Sequence, residues 1–141
     1  MSVVPRGRDE HGGAAVEFTI IAPVLIMMLL FVVGLGRLAS SRESVEGAAR
    51  DGAREASTAR TAADADRTAN DIVRDTLAEK RVSCSNRQVN VDTSQFYAGG
   101  SVGVRVQCTV ANGDVVLSGL PGSSTLHADF VAVVDKYRGT R

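Results

Sequence analysis

The feature that most constrains this chain is a run of nineteen uncharged residues, Phe18 to Gly36, near the start of a 141-residue sequence. Most of these positions hold Ile, Leu, Val, Met or Phe. At about 1.5 Å of rise per helical residue the run spans about 28 Å, close to the hydrocarbon thickness of a bilayer. The run therefore predicts a single membrane-spanning helix, with a kink or a missing hydrogen bond at Pro23.

A single carboxylate, Glu17, stands directly before this run. An ionised side chain at the centre of a membrane costs about 2.5–3.5 kcal/mol on insertion scales and less near the ends of the span. An ionisable residue placed there is a functional hypothesis by default. The alternative is that Glu17 only marks where the membrane begins.

The rest of the chain is long enough for one small domain, since about 95 residues follow the apolar run and its extension. A net charge of zero and an aromatic content of 4% argue against a nucleic-acid-binding protein. The sequence has neither a phosphate-binding loop followed by lysine nor a nucleophile elbow, so we expect no enzyme and no cofactor. His11 and His127 lack Cys or His neighbours. An EF-hand loop beginning at Asp64 and Asp66 would need its turn glycine where Ala69 stands and its bidentate glutamate where Asp75 stands, so we expect no metal site.

Two helical patterns follow one another along the chain. Beyond Arg37, small and apolar residues recur at steps of three and four, so the first helix is expected to continue past the membrane with one narrow face. That face comprises Leu38, Val45, Ala48, Ala49, Gly52, Ala53 and Ala56. A second amphipathic helix is predicted over Ala63 to Lys80. Its apolar face comprises Ala65, Ala69, Ile72, Val73 and Leu77.

From Val82 onward the apolar period changes to two, which is typical of half-buried antiparallel strands. The stretch "RQVNVDT" puts Val89 and Val91 on one face, and "HADFVAVV" is the predicted last strand. Asn112 and Gly113 predict a turn before it. In "SVGVRVQCTV" one face comprises Val102, Val104, Val106, Cys108 and Val110. We therefore expect an α+β fold in which three or four antiparallel strands pack a valine face against the helices.

The chain has two cysteines, Cys84 and Cys108, and both follow the apolar run. If this part is exported, they can form a disulfide in an oxidising compartment. Closing a loop of about 25 residues would contribute about 3–4 kcal/mol in the chain-entropy model. The alternative is two separate buried thiols.

The junction before the apolar run reads "GGAAVEF": Gly12, then four residues, then Glu17 and Phe18. Together with the proline-containing run and the segment "VEGAARDGAREAS", this order resembles the TadE-like family of tight-adherence (Flp) pilus assembly proteins, which are similar to type IV pilins and pseudopilins. The resemblance covers about the first 57 residues. It implies a pilin-like fold, cleavage between Gly12 and Gly13 by a prepilin peptidase, and an assembly role for Glu17 and Phe18.

By the same resemblance the chain divides into a leader peptide (1–12), a transmembrane helix (13–36) and an extracytoplasmic pseudopilin domain (37–141). The implied protein is a minor pseudopilin in the cell membrane, with its amino terminus in the cytoplasm, which reaches a surface pilus after processing. Its implied partners are the prepilin peptidase, other pilins or pseudopilins, the inner-membrane assembly platform and the membrane. The second glycine leaves cleavage after Gly13 open, and the arginines flanking the span are too balanced to fix its orientation.

Two other functions fit the same sequence pattern. The chain could be a signal-anchored envelope protein whose helix tethers a small binding domain. It could also be a secreted protein cut after Gly36, where small residues occupy the required positions. The mass of the mature chain distinguishes these two possibilities from each other and from the pseudopilin.

Overall fold

The computed structural model describes residues 11–111 and 122–137, with side chains described from Val16 onward. Two helices precede three strands: α1 (His11–Ser57), α2 (Ala62–Glu79), β1 (Cys84–Gln95), β2 (Ser101–Ala111) and β3 (Ser123–Val133). The strands form one sheet in the order β1-β2-β3, and both pairs are antiparallel. The α+β prediction is confirmed, with three strands in the described residues.

Helix α1 has 47 residues and continues without a break through Pro23 and Arg37. At about 1.5 Å per residue it is about 70 Å long. It begins at His11, within the last two residues of the predicted leader. In its carboxyl-terminal part the predicted narrow face is buried, apart from Leu38, which is only partly buried. The small side chains on this face allow α2 and the sheet to approach α1 closely.

Helix α2 lies within one residue of its predicted bounds. Thr61 caps its amino terminus, since the Thr61 hydroxyl accepts a hydrogen bond from the Asp64 amide at 3.1 Å. The buried face contains four of the five predicted residues, and Ile72 is partly buried beside them. The spacing of apolar residues at steps of three and four therefore correctly predicted the side of α2 that packs on α1.

The central strand β2 carries the valine face into the core, as its alternation predicts. Facing it on α1 and α2 are mainly alanines, and Leu77 is the largest fully buried side chain. Strand β3 begins at Ser123, four residues before its predicted start at His127. The reason is pairing with β2, because Ser123 lies opposite Ala111 in an unbroken ladder. The predicted turn at Asn112 and Gly113 lies outside the described residues.

Cys84 and Cys108 form a disulfide, which confirms the predicted pairing. The bond ties the first residue of β1 to the inward face of β2, with the two Cα atoms 5.2 Å apart. A register shift between Cys84 and Asn86 separates this end of β1 from the regular ladder that follows. The covalent link therefore fixes the end of the sheet where hydrogen-bonded pairing is interrupted.

Gly52 lies at a close contact between α1 and α2. A Cβ atom added there would lie 2.9 Å from Val73 Cγ2 and 3.3 Å from the Ala69 carbonyl oxygen. Neither neighbour can move freely, because Val73 is fully buried and the Ala69 oxygen belongs to the helix backbone. Gly47, one turn and a half earlier on α1, would place its added Cβ 3.9 Å from the end of the Lys80 side chain.

We expect Gly52→Val to destabilise the domain by about 1–3 kcal/mol, because a side chain forced into this contact separates the helices. Gly47→Val is the matched control, since it makes the same change on the same helix where the flexible Lys80 side chain can move aside. The measurement is thermal unfolding of the full chain in detergent. Equal unfolding midpoints for the two variants would contradict this account of the helix contact.

Candidate functional site

The amino-terminal half of α1 extends away from the domain with its apolar side chains uncovered. From Val16 to Leu35 the exposed fraction of the large apolar side chains runs from 40% at Phe31 to 73% at Phe18. Only 6% of the most apolar stretch of the segment Val16–Ser57 is buried inside the protein. By length and composition, this is the one helix in the described residues that could span a membrane.

Two charged positions bound this exposed apolar band along α1. Glu17 lies at its start, and Arg37 is the next charged residue along the chain. Arg37 lies twenty positions after Glu17, which corresponds to about 30 Å at about 1.5 Å per helical residue. This distance matches the hydrocarbon core of a bilayer, so both charged groups can reach the polar interfaces while the band between them stays in lipid.

All four residues predicted for processing and assembly lie on the first turns of α1. The backbone is helical at Gly12 and Gly13, and the side chains of Glu17 and Phe18 are exposed. Gly13 and Glu17 are four residues apart and therefore lie on the same side of the helix, about one turn apart. Phe18, the next residue, lies about 100° away from Glu17 around the helix axis.

The second half of α1 anchors this exposed band to the folded domain. Ala48, Ala49 and Ala53 are fully buried against α2 and the sheet. Arg50, on the same helix, places its guanidinium carbon 5.5 Å from the centre of the Phe130 ring on β3. Because one continuous helix carries both the band and these contacts, the orientation of the domain is coupled to that of the band.

The open face of the sheet, opposite the helices, is polar in its middle. The Arg105 Nε donates to Asp129 Oδ1 at 2.6 Å across the β2–β3 pair. The Ser94 amide donates to Asp92 Oδ1 at 3.0 Å and holds the pKa of that carboxyl below its usual range. Gly103 leaves an open groove of about 380 Å³ between these groups and Val131. The described residues contain no group of three or more His, Cys, Asp or Glu side chains that could hold a metal ion.

Sequence reasoning did not identify the exposed valines of β3. Val131 and Val133 point to the open face, where they are 64% and 70% exposed. The sequence does contain a pattern that predicts them. The stretch "FVAVV" places apolar residues at consecutive positions, and a strand can direct only every second one toward the core. Gly103 lies opposite Val131 and Ser101 opposite Val133, so neither valine has a large apolar partner on β2.

Comparison with known proteins gives one match. The family described as TadE-like protein matches residues 12–54. The match begins at the predicted processing site, covers the exposed apolar band and ends inside the packed half of α1. It confirms the resemblance over these residues and does not extend to α2 or the sheet. No curated protein and no solved structure matches the chain.

Proposed function

We propose that this chain is a minor pseudopilin of a tight-adherence (Flp-type) pilus or a related secretion system, processed by a prepilin peptidase and assembled through α1. The observation that carries the proposal is the TadE-like match over residues 12–54. Within that range the glycine–glutamate junction, the apolar band and the small-residue face follow one another along the chain. The proposed partners are the peptidase, other pilins or pseudopilins, and the assembly platform in the inner membrane.

In this proposal residues 1–12 are a cytoplasmic leader, residues 13–36 span the membrane, and residues 37–141 form the extracytoplasmic domain. The exposed apolar band between Glu17 and Arg37 supports the position of the span. The disulfide supports the orientation, because such bonds persist in oxidising compartments outside the cytoplasm. It therefore favours an orientation that the balanced arginines around the span leave open.

Cleavage after Gly12 would convert the start of α1 into a charged pairing site. Hydrolysis of the Gly12–Gly13 bond frees an α-amine at Gly13 and makes Glu17 the fifth residue of the mature chain. A neighbouring α1 displaced along the bundle by about 6 Å, the rise of four residues, brings its amine level with this carboxylate. Two unit charges about 4 Å apart attract by about 4 kcal/mol at an effective dielectric constant near 20, before desolvation is subtracted.

Such a pair would favour transfer of the helix from lipid into a bundle of subunits. In lipid, Glu17 has no counter-charge from its own apolar band, which is uncharged from Phe18 to Gly36. In a bundle, the neighbour's amine supplies that charge and fixes the axial offset between subunits. The apolar side chains of the band would then pack against those of neighbouring helices instead of against acyl chains.

The experiment that tests the proposal is the mass of the mature chain, purified both from the membranes and from the medium of cells that make it naturally. We expect the mass of residues 13–141, and the unprocessed mass in cells that lack the prepilin peptidase. A mass one glycine lower would move the cut to the position after Gly13. An intact chain in normal cells would favour the tethered envelope protein, and loss of the whole apolar band would favour secretion after Gly36; either result would overturn the proposal.

A further inference from the structure

Strand β3 has one edge that no other strand of the described chain covers. The sheet ends with β3, whose eleven residues pair with β2 in a continuous register from Ser123 to Val133. Beyond it, Val134 exchanges hydrogen bonds with the Gly99 amide and the Gly100 carbonyl at 3.1 and 2.9 Å. The continuous pairing with β2 keeps the backbone of β3 regular, and from Thr125 to Val133 the groups that do not face β2 point to the outer edge as alternating donors and acceptors.

The two edges of this sheet are protected differently. Strand β1, at the other edge, has register shifts between Cys84 and Asn86 and between Asp92 and Gln95. Such irregularities and edge charges are how sheets prevent another strand from pairing. Strand β3 has no register shift, contains neither proline nor lysine nor arginine, and exposes Val131 and Val133 on its open face. These properties leave β3 as an edge that can accept a further strand.

A second copy of this chain is a poor occupant of the β3 edge. Antiparallel pairing of β3 with its own copy requires a two-fold axis perpendicular to the sheet. Because α1 lies in a layer against the sheet, that axis reverses the direction of α1 in the second copy. Two chains anchored through α1 in one membrane cannot adopt this arrangement, and this step rests on the membrane anchoring in the proposed function.

Pairing of β3 with β1 of a second copy keeps the two α1 helices parallel, but the side chains do not complement one another. The open face of β1 carries Gln88, Asn90 and Asp92, which offer no apolar partner to Val131 or Val133. They also offer no cation to Asp129. This residue lies opposite Arg105 of β2, which in turn lies opposite Asn90 of β1. The two register shifts of β1 would interrupt the ladder as well.

We propose that the β3 edge is a docking site for an extended strand of a different protein subunit, which joins the sheet as a fourth strand. The incoming strand would place two apolar side chains, two residues apart, beside Val131 and Val133. A basic side chain beside Asp129 would continue the charge alternation that Arg105 and Asp129 begin. Main-chain hydrogen bonds supply affinity in this mode of recognition, and the alternate side chains supply specificity.

The test uses a photoreactive benzoylphenylalanine in the full-length chain, in the membranes of cells that make it naturally. His127 on β3 and Gln88 on β1 are matched positions, because both lie opposite Gln107 and both are exposed. We expect a crosslinked product from position 127 that contains a different protein, and at least about tenfold less product from position 88. Mass spectrometry of that product should map the contact to a strand-like segment with two apolar residues two positions apart.

Lysine substitution provides the second measurement, combined with the probe at position 127. Val131→Lys should lower the crosslink yield by about tenfold, equivalent to about 1.4 kcal/mol, because it places a charge beside the incoming strand. Val133→Lys should act in the same direction, and Asn90→Lys, on the same face at the other edge, should leave the yield unchanged. Because these side chains are exposed, all three chains should keep the disulfide and normal membrane abundance.

Three results would overturn the docking site: a product that contains only a second copy of this chain, equal yields from positions 127 and 88, or an unchanged yield in both lysine variants. A contact that maps to a helical segment of the other protein would also do so. Normal processing in the same cells would show that the proposed pseudopilin function stands although the docking site fails. An unprocessed chain would indicate instead that the proposed function is at fault.

Discussion

Replacing Glu17 with glutamine should leave the chain inserted and processed but unable to assemble into pili. Insertion should not suffer, because removing a charge beside the apolar band lowers the cost of placing that end of α1 in lipid. Processing should also continue, since the peptidase acts before any neighbouring subunit is engaged. Assembly should fail because the amine of each adjacent subunit would be buried without its counter-charge, at a cost of about 3–5 kcal/mol.

The measurement for Glu17→Gln is surface piliation together with crosslinking to the major pilin, with membrane abundance as the internal standard. The cost above corresponds to a loss of about two orders of magnitude or more in assembled subunits. Glu43→Gln is the matched control, because it makes the same change on an exposed position of α1 beyond the apolar band. Normal piliation with the Glu17 variant would reduce this residue to a marker of the membrane boundary.

The variant Gly12→Val should accumulate in the membrane as the full-length precursor. The physical reason is access: a glycine lets the peptide backbone approach a catalytic site closely, and a β-branched side chain next to the bond to be cut obstructs that approach. Loss of cleavage leaves no α-amine at Gly13, so this variant should also fail to assemble. The measurement is the mass of the chain extracted from membranes, with the wild-type chain processed in parallel.

A second glycine of α1 provides the control for this prediction. An added Cβ at Gly36 meets nothing within 4 Å, so Gly36→Val should be cut normally and keep its place in the membrane. The same variant tests the secretion alternative, because a valine there would hinder a cut after Gly36. If Gly12→Val is still cut between residues 12 and 13, prepilin-type processing is the wrong explanation for the glycine–glutamate junction.

Local patterns in the sequence were sufficient to predict most of the fold. The buried face of α2 follows from apolar residues that recur about every 3.6 positions, and the inward face of β2 from apolar residues at every second position. Both patterns are local, because they depend only on residues close together along the chain. The exposed band of α1 also follows from sequence, because an uncharged apolar run of this length has no partner of similar size in so small a domain. The residues that we propose for processing and assembly all lie in one short stretch, from Gly12 to Phe18, which carries the family resemblance.

Other features depend on which distant segments meet, and only the tertiary structure decided them. Ser123 and Ser124 have no strand pattern of their own, and they join β3 because Ala111 and Val110 of β2 lie opposite. The sequence places Gly52 on the small-residue face of α1, but only the structure shows that Val73 packs there too closely to leave room for a side chain.

The uncovered edge of β3 has the same origin. Sequence alternation assigns a side chain to a face of the sheet, but it does not determine which strand is last or whether its neighbour supplies a partner. Val131 is exposed because Gly103 lies opposite and no fourth strand follows β3 in the described residues. Local periodicity thus determined the faces of each element, and the non-local pairing of strands decided which backbone and side-chain groups remain open to another protein.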